Sequence, residues 1–119
     1  MMSFDEVSAK ITNAAKIHGF SVEYDQRTRL PRITTAEKTS YINICLSDVL
    51  EFQKCDYAKG HIVGHVEVTA SISRMGGNPT PDELLNAAEQ IREAALLVRE
   101  LQGSDLAYSE TRRDENAVQ

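Results

Sequence analysis

Residues 80–102, TPDELLNAAEQIREAALLVRELQ, restrict the possible folds of this chain more than any other stretch. Thr80 is a good N-cap, because its hydroxyl accepts from an amide that the first turn leaves unpaired. Pro81 follows at the first helical position, where its missing N–H costs nothing. Glu83 completes the spacing of a capping box, and Asp82 and Glu83 face the positive end of the helix dipole. Gly103 is placed to close the helix in the left-handed conformation. Between these ends Leu84, Ala88, Ile91, Ala95, Val98 and Leu101 recur at three- and four-residue steps, widened by Leu85, Leu96 and Leu97. Such a stripe has to be buried, against a sheet of the same chain or against a second helix. The helix spans roughly 30 Å, enough to cross a small sheet diagonally.

A second helix opens the chain. Ser3 and Glu6 repeat the capping-box spacing, Phe4, Val7, Ile11, Ala14 and Ile17 follow at helical intervals, and Gly19 supplies the stop. Next, Phe20, Val22 and Tyr24 alternate with polar residues as in a short half-buried strand. Residues 25–40 are polar and turn-rich, and Pro31 confines any strand there to an edge or to its own C-terminal side. Ile42, Ile44 and Leu46 define a further strand. Residues 48–54 fit a continued strand or a helical turn, and strand is favoured. Tyr57, Ala58, Lys59 and Gly60 make a turn, and residues 61–75 the longest strand. In that strand Val66, Val68, Ala70 and Ile72 share a dry face, opposite His65, Glu67, Thr69, Ser71 and Ser73. Leu106 and Tyr108 form a brief edge strand or pack on the helix end.

The expected architecture is α+β, in the order α-β-β-β-α with room for one more short strand. An antiparallel sheet of three to four strands carries the N-terminal and the long C-terminal helix on one face. Residues 1–110 make a single domain, and residues 111–119 a frayed tail with too little apolar surface to offset ordering.

Composition narrows the function by exclusion. At 119 residues with 41% hydrophobic and 26% charged side chains, the chain is of ordinary soluble type. It has neither a membrane-length apolar run nor a signal-peptide pattern, so a cytoplasmic location is expected. Cys45 and Cys55 make no disulfide framework. A net charge of −5 argues against obligate nucleic-acid binding.

Against this acidic background Arg27, Arg29, Arg32 and Lys38 stand out, four basic groups against one acid, Glu37, over residues 26–38. Guanidinium forks suit phosphate, carboxylate or an acidic protein surface. The alternative is a solvated loop whose arginines pair with the chain's own carboxylates. The Gly76–Gly77–Asn78 loop before the long helix has phosphate-cradle character, but Asp82 and Glu83 would repel an anion there. His61 and His65 lie roughly 13 Å apart on a strand, too far to share a metal through bonds of about 2 Å. No metal or cofactor is therefore expected. His65 and Glu67 on the wet face are either an acid–base pair or plain cross-strand polar surface. No serine elbow and no cysteine with a held base is signalled, so an enzyme is the less expected class.

In its length, its two-helix and sheet layout, its charged end and the run NPTPDELLNAAEQIREAALLVRELQG, the chain resembles the small accessory proteins encoded by bacteriophages and prophages. The resemblance nominates no residues. It implies a protein that works by binding, such as an inhibitor of host defence or of a host enzyme. The expected function is thus non-enzymatic binding by a homo-oligomer, to a protein partner or a small anionic ligand. Arg27, Arg29, Arg32, Lys38, His65 and Glu67 are the expected contacts. A small enzyme or nucleotide-processing domain and a structural piece of a phage particle are the alternatives.

Overall fold

A computed structural model describes residues 1–24, 27, 29–35, 41–73 and 75–112. Helix α1 spans Phe4–Ile17 and α2 spans Pro81–Gln102; the strands are β1 (Ser21–Tyr24), β2 (Pro31–Thr34), β3 (Ile42–Leu50), β4 (His61–Ile72) and β5 (Ala107–Thr111). The fold is α+β with antiparallel sheets. The strands divide between a two-stranded sheet, β1-β2, and a three-stranded sheet in the order β3-β4-β5. The expected single sheet is thus split, because Pro31 opens β2 and residues 31–34 pair with 21–24 and not with β3.

The register of the larger sheet sorts its faces. Ile42 lies opposite Ile72, Leu46 opposite Val68, and Gly64 opposite Tyr108. Ile42, Val66, Val68 and Tyr108 therefore share one face. They form a single core with Phe4, Val7, Ile11 and Ala15 of α1 and Ala94, Leu97 and Leu101 of α2. Both helices cover this face. Cys45, Ser47, Glu67, Thr69 and Ser71 alternate to the opposite face and are exposed.

The buried stripe of α2 is Ala87, Ala94, Leu97 and Leu101. This corrects the expected line, of which Leu101 alone is fully buried; Ile91 and Val98 are half-buried, and Leu84, Ala88 and Ala95 are exposed. The helix sits rotated because Leu97 and Leu101 fit against the sheet, while one flank of a wide apolar surface is left over.

The caps also differ in detail. Ser3 and Glu6 close a full capping box, with Glu6 N–H donating to Ser3 Oγ at 3.1 Å and Ser3 N–H to Glu6 Oε1 at 3.4 Å. At α2, Glu83 N–H donates to Thr80 Oγ1 at 3.2 Å, and the Thr80 hydroxyl is in turn held by Glu83 Oε1 at 3.1 Å. Gly103 has φ −84°, so the expected left-handed closure does not occur. Its amide donates to Arg99 O, and the Ser104 hydroxyl to Glu100 O at 2.8 Å, satisfying end carbonyls without it.

Residues 48–54 divide. Strand β3 runs on to Leu50, and Phe52–Lys54 then make a 3₁₀ turn, followed by a second at Tyr57–Lys59. Gly60 ends it at φ +68°, as the turn reading of residues 57–60 expects. Strand β4 stops at Ile72, short of residue 75. Thr111 belongs to β5, whereas residues 113–119 of the expected tail lie outside the described residues.

Candidate functional site

The exposed face of the β3-β4-β5 sheet ends against the two 3₁₀ turns, and the charged side chains of the site gather there. Where β3 leaves off, Cys55 takes over its edge: Val63 N–H donates to Cys55 Sγ at 3.3 Å, and the thiol approaches Glu51 O and Val63 O at the same distance. Asp56 and His61 bridge beneath it. This closure holds the turns against β4 and buries Val63, which otherwise belongs to the exposed face.

His65 lies in the middle of this region. Its Nε2 is 3.2 Å from Glu67 Oε1 and its Nδ1 is 3.5 Å from Glu51 Oε1. Lys54 Nζ holds the other Glu51 oxygen at 2.9 Å. The Lys54 ammonium, and then His65, keep the Glu51 carboxyl below its ordinary value. The expected pairing of His65 with Glu67 is thus present as a contact, with Glu51 as a third member. A hollow of about 590 Å³ runs from Glu51 and His65 past Glu67 and Thr69 to Gln102 and Asp105. Phe52 and Tyr57, one in each 3₁₀ turn, are 70% and 57% exposed.

The basic loop is arranged differently. Arg29 makes a bidentate pair with Glu110, Nη1 to Oε1 at 2.7 Å and Nη2 to Oε2 at 2.5 Å, and its guanidinium carbon lies 3.8 Å over the Phe4 ring centroid. Arg112 Nε reaches the same Glu110 at 2.6 Å, Arg112 Nη2 lies 4.0 Å from Asp48 Oδ2, and Asp48 accepts from the Tyr108 hydroxyl. Burial, and then the Asp48 carboxylate, push the Tyr108 phenol well above its ordinary value. Arg29 therefore serves as a tie between the β1–β2 connection, α1 and β5. That is the second of the two sequence readings, arginine paired with the chain's own carboxylates. Arg32 is exposed on β2, beside a hollow shared with Asn43 and Cys45. Arg27 is exposed, and Lys38 lies outside the described residues. Arg29 and Arg32 do not join His65 and Glu67 in one site: they are held at β5 and at the β2–β3 gap.

Sequence reasoning missed Glu51, Lys54, Phe52 and Tyr57. Glu51 and Lys54 at a three-residue spacing were a visible signal for a helical turn. It competed with the apolar Val49, Leu50 and Phe52, which also fit a continued strand. Among the described residues, no group of three or more His, Cys, Asp and Glu side chains is placed to hold a metal ion. No described helix is long and apolar enough to cross a membrane. The chain matches no family model, no curated protein and no solved structure.

Proposed function

We propose that this protein acts by binding another protein, through the exposed face of the β3-β4-β5 sheet and the turns at its end. One observation carries this reading. The sheet has a helix-covered face and an open face; the open one carries the polar set Glu51, Lys54, His65 and Glu67, and the turns that follow β3 add two exposed aromatic side chains, Phe52 and Tyr57. Aromatic anchors next to a polar rim are the usual composition of a protein interface. Thr69 and Ser71 extend the rim with small side chains that admit close approach of a partner.

Sequestration of an anionic ligand by the arginine loop is less well supported, because Arg29 is spent on Glu110 and Phe4. An enzyme is less well supported still, because the His65–Glu67 contact is open to water. The resemblance to phage accessory proteins supports a host defence factor or host enzyme as the partner, blocked by occupation of its surface. We place this binding in the cytoplasm and assign the protein a homo-oligomeric state.

The test is affinity capture from host extract under crosslinking, with wild type, the pair Phe52→Ala and Tyr57→Ala, His65→Ala, and Arg32→Ala. Loss of the captured protein in the first two variants, with retention in Arg32→Ala, is the expected result. Retention in the first two with loss in Arg32→Ala would transfer the site to the basic loop.

A further inference from the structure

Strand β4 is only half covered on the side away from β3. In the β3–β4 ladder, Ser73 N–H donates to Tyr41 O at 2.7 Å and Glu51 N–H to Val63 O at 2.9 Å. Odd-numbered residues of β4 thus bond to β3, and even-numbered ones direct N–H and C=O to the opposite edge. Along that edge β5 pairs only with His61 through His65. Val66 N–H then finds Leu106 O at 3.1 Å, and Val68 O accepts from Gln102 Nε2 at 2.9 Å. After that the edge is open: Ala70 and Ile72 have no bonding partner on this side among the described residues.

The C-terminal end of α2 meets β4 where the open edge begins. Leu84, Ala88, Ile91, Ala95, Val98 and Gln102 follow one another at three- and four-residue steps and form one line. At the C-terminal end of that line Gln102 reaches Val68 O, which puts this end of the flank at the edge of β4, whereas His18 of α1 binds Glu100 on the other flank at 2.7 Å. Ile72 (68% exposed) and Leu84 (49%) are left in solvent.

We infer that this edge and flank are where a second copy of the chain binds. An antiparallel twofold about Ser71 sets each Ala70 opposite the partner's Ile72, and the two residues exchange both backbone hydrogen bonds. The same axis lays α2 beside α2 of the second copy, with Ala88 and Ala95 allowing the 8–10 Å approach of packed helices.

Three observations favour a second copy. Residues 68–72, VTASI, carry no charge, so self-pairing opposes no like charges. The edge has none of the lysines, prolines or bulges that proteins use to block strand addition. The two outer edges of the same sheet have neighbours: Ser109 N–H donates to Met2 O at 3.0 Å along β5, and β2 packs beside β3. A strand pair alone is marginal in water; here the apolar flank of α2 supplies the remaining area. The arrangement leaves the open sheet face outward; it rests on the homo-oligomeric state proposed above but not on the partner-binding surface.

Sedimentation of the full chain over a wide concentration range tests it, with amide exchange as a second readout. Wild type should reach twice the single-chain mass, and the Ala70 and Ile72 amides should be as protected as those of Thr69 and Ser71. Ala70→Pro removes an N–H that points away from β3, and Ala88→Arg places a charge on an exposed position. Each should raise the dimer dissociation constant at least about tenfold, with unchanged circular dichroism. A single-chain mass throughout, or a dimer unmoved by either substitution, would overturn the inference. So would a dimer in which Ala70 and Ile72 exchange fast.

Discussion

Gly64 shows how tightly single positions are held. A Cβ there would fall 2.7 Å from Tyr108 Oη and 2.8 Å from Val49 O, because the Tyr108 ring lies across the Gly64 backbone. Gly64→Ala should therefore cost about 1–3 kcal/mol by overpacking, read from urea denaturation. Tyr108 itself is fully buried, packs edge-on against Phe4 at 5.0 Å and donates to Asp48. Its phenol is raised in the folded state, chiefly by burial, so the folded chain keeps this proton after the unfolded chain has lost it. The stability it contributes is complete below the ordinary tyrosine value of about 10 and falls as pH rises above that. Tyr108→Phe should abolish this alkaline loss relative to wild type. At neutral pH it should cost about 1–3 kcal/mol, by removing a hydrogen bond to a carboxylate. Denaturation at a series of pH values checks both.

Among the elements, α2 and the β1–β2 connection show where side chains carry the fold. Leu97 and Leu101 lie at the bottom of the α2 contact, and Leu97→Ala should cost about 2–5 kcal/mol in thermal or chemical unfolding. Leu84→Ala, at the same spacing but on the uncovered flank, should stay within about 0.5 kcal/mol for the monomer. Arg29 ties the connection after β1 to Glu110 on β5 and to Phe4 on α1. Arg29→Ala should lower stability by about 1–2 kcal/mol, since Glu110 is only 15% exposed and keeps Arg112 alone. Arg32→Ala, on the exposed side of β2, should leave the melting temperature nearly unchanged. Equal losses in the two variants would refute this division of labour between Arg29 and Arg32.

For the whole molecule, the helices close one face of the larger sheet and leave two surfaces open. One is the polar face with the turns that carry Phe52 and Tyr57, and the other is the apolar flank of α2 together with the free edge of β4. The first suits a foreign partner, because its charges and aromatic side chains are mixed. The second suits a second copy, because it is uncharged and compatible with a twofold. Partner capture should therefore follow Phe52, Tyr57 and His65, whereas mass in solution follows Ala70 and Ala88. Variants at one surface should leave the other property unaffected.

Local chemistry carried much of the outcome into the sequence. Caps, apolar periods and turn residues act over three or four positions, so Ser3 with Glu6, Thr80 with Pro81 and the alternation from Val66 to Ile72 announce their elements without help from the rest of the chain. The polar side of β4, with His65 beside Glu67, was legible for the same reason. Which part of a wide apolar stripe is buried was not legible: it depends on the shape of the surface that receives it, and Leu97 and Leu101 prevailed over Leu84, Ala88 and Ala95. The partners of the arginines were hidden for a related reason, since Arg29 and Glu110 are far apart in the chain and meet only when β5 closes on β4. Glu51 joins His65 only because β3 turns at Leu50 and brings it alongside β4. Only the tertiary structure brings together groups distant in sequence, and with them it decides which surfaces remain for a partner.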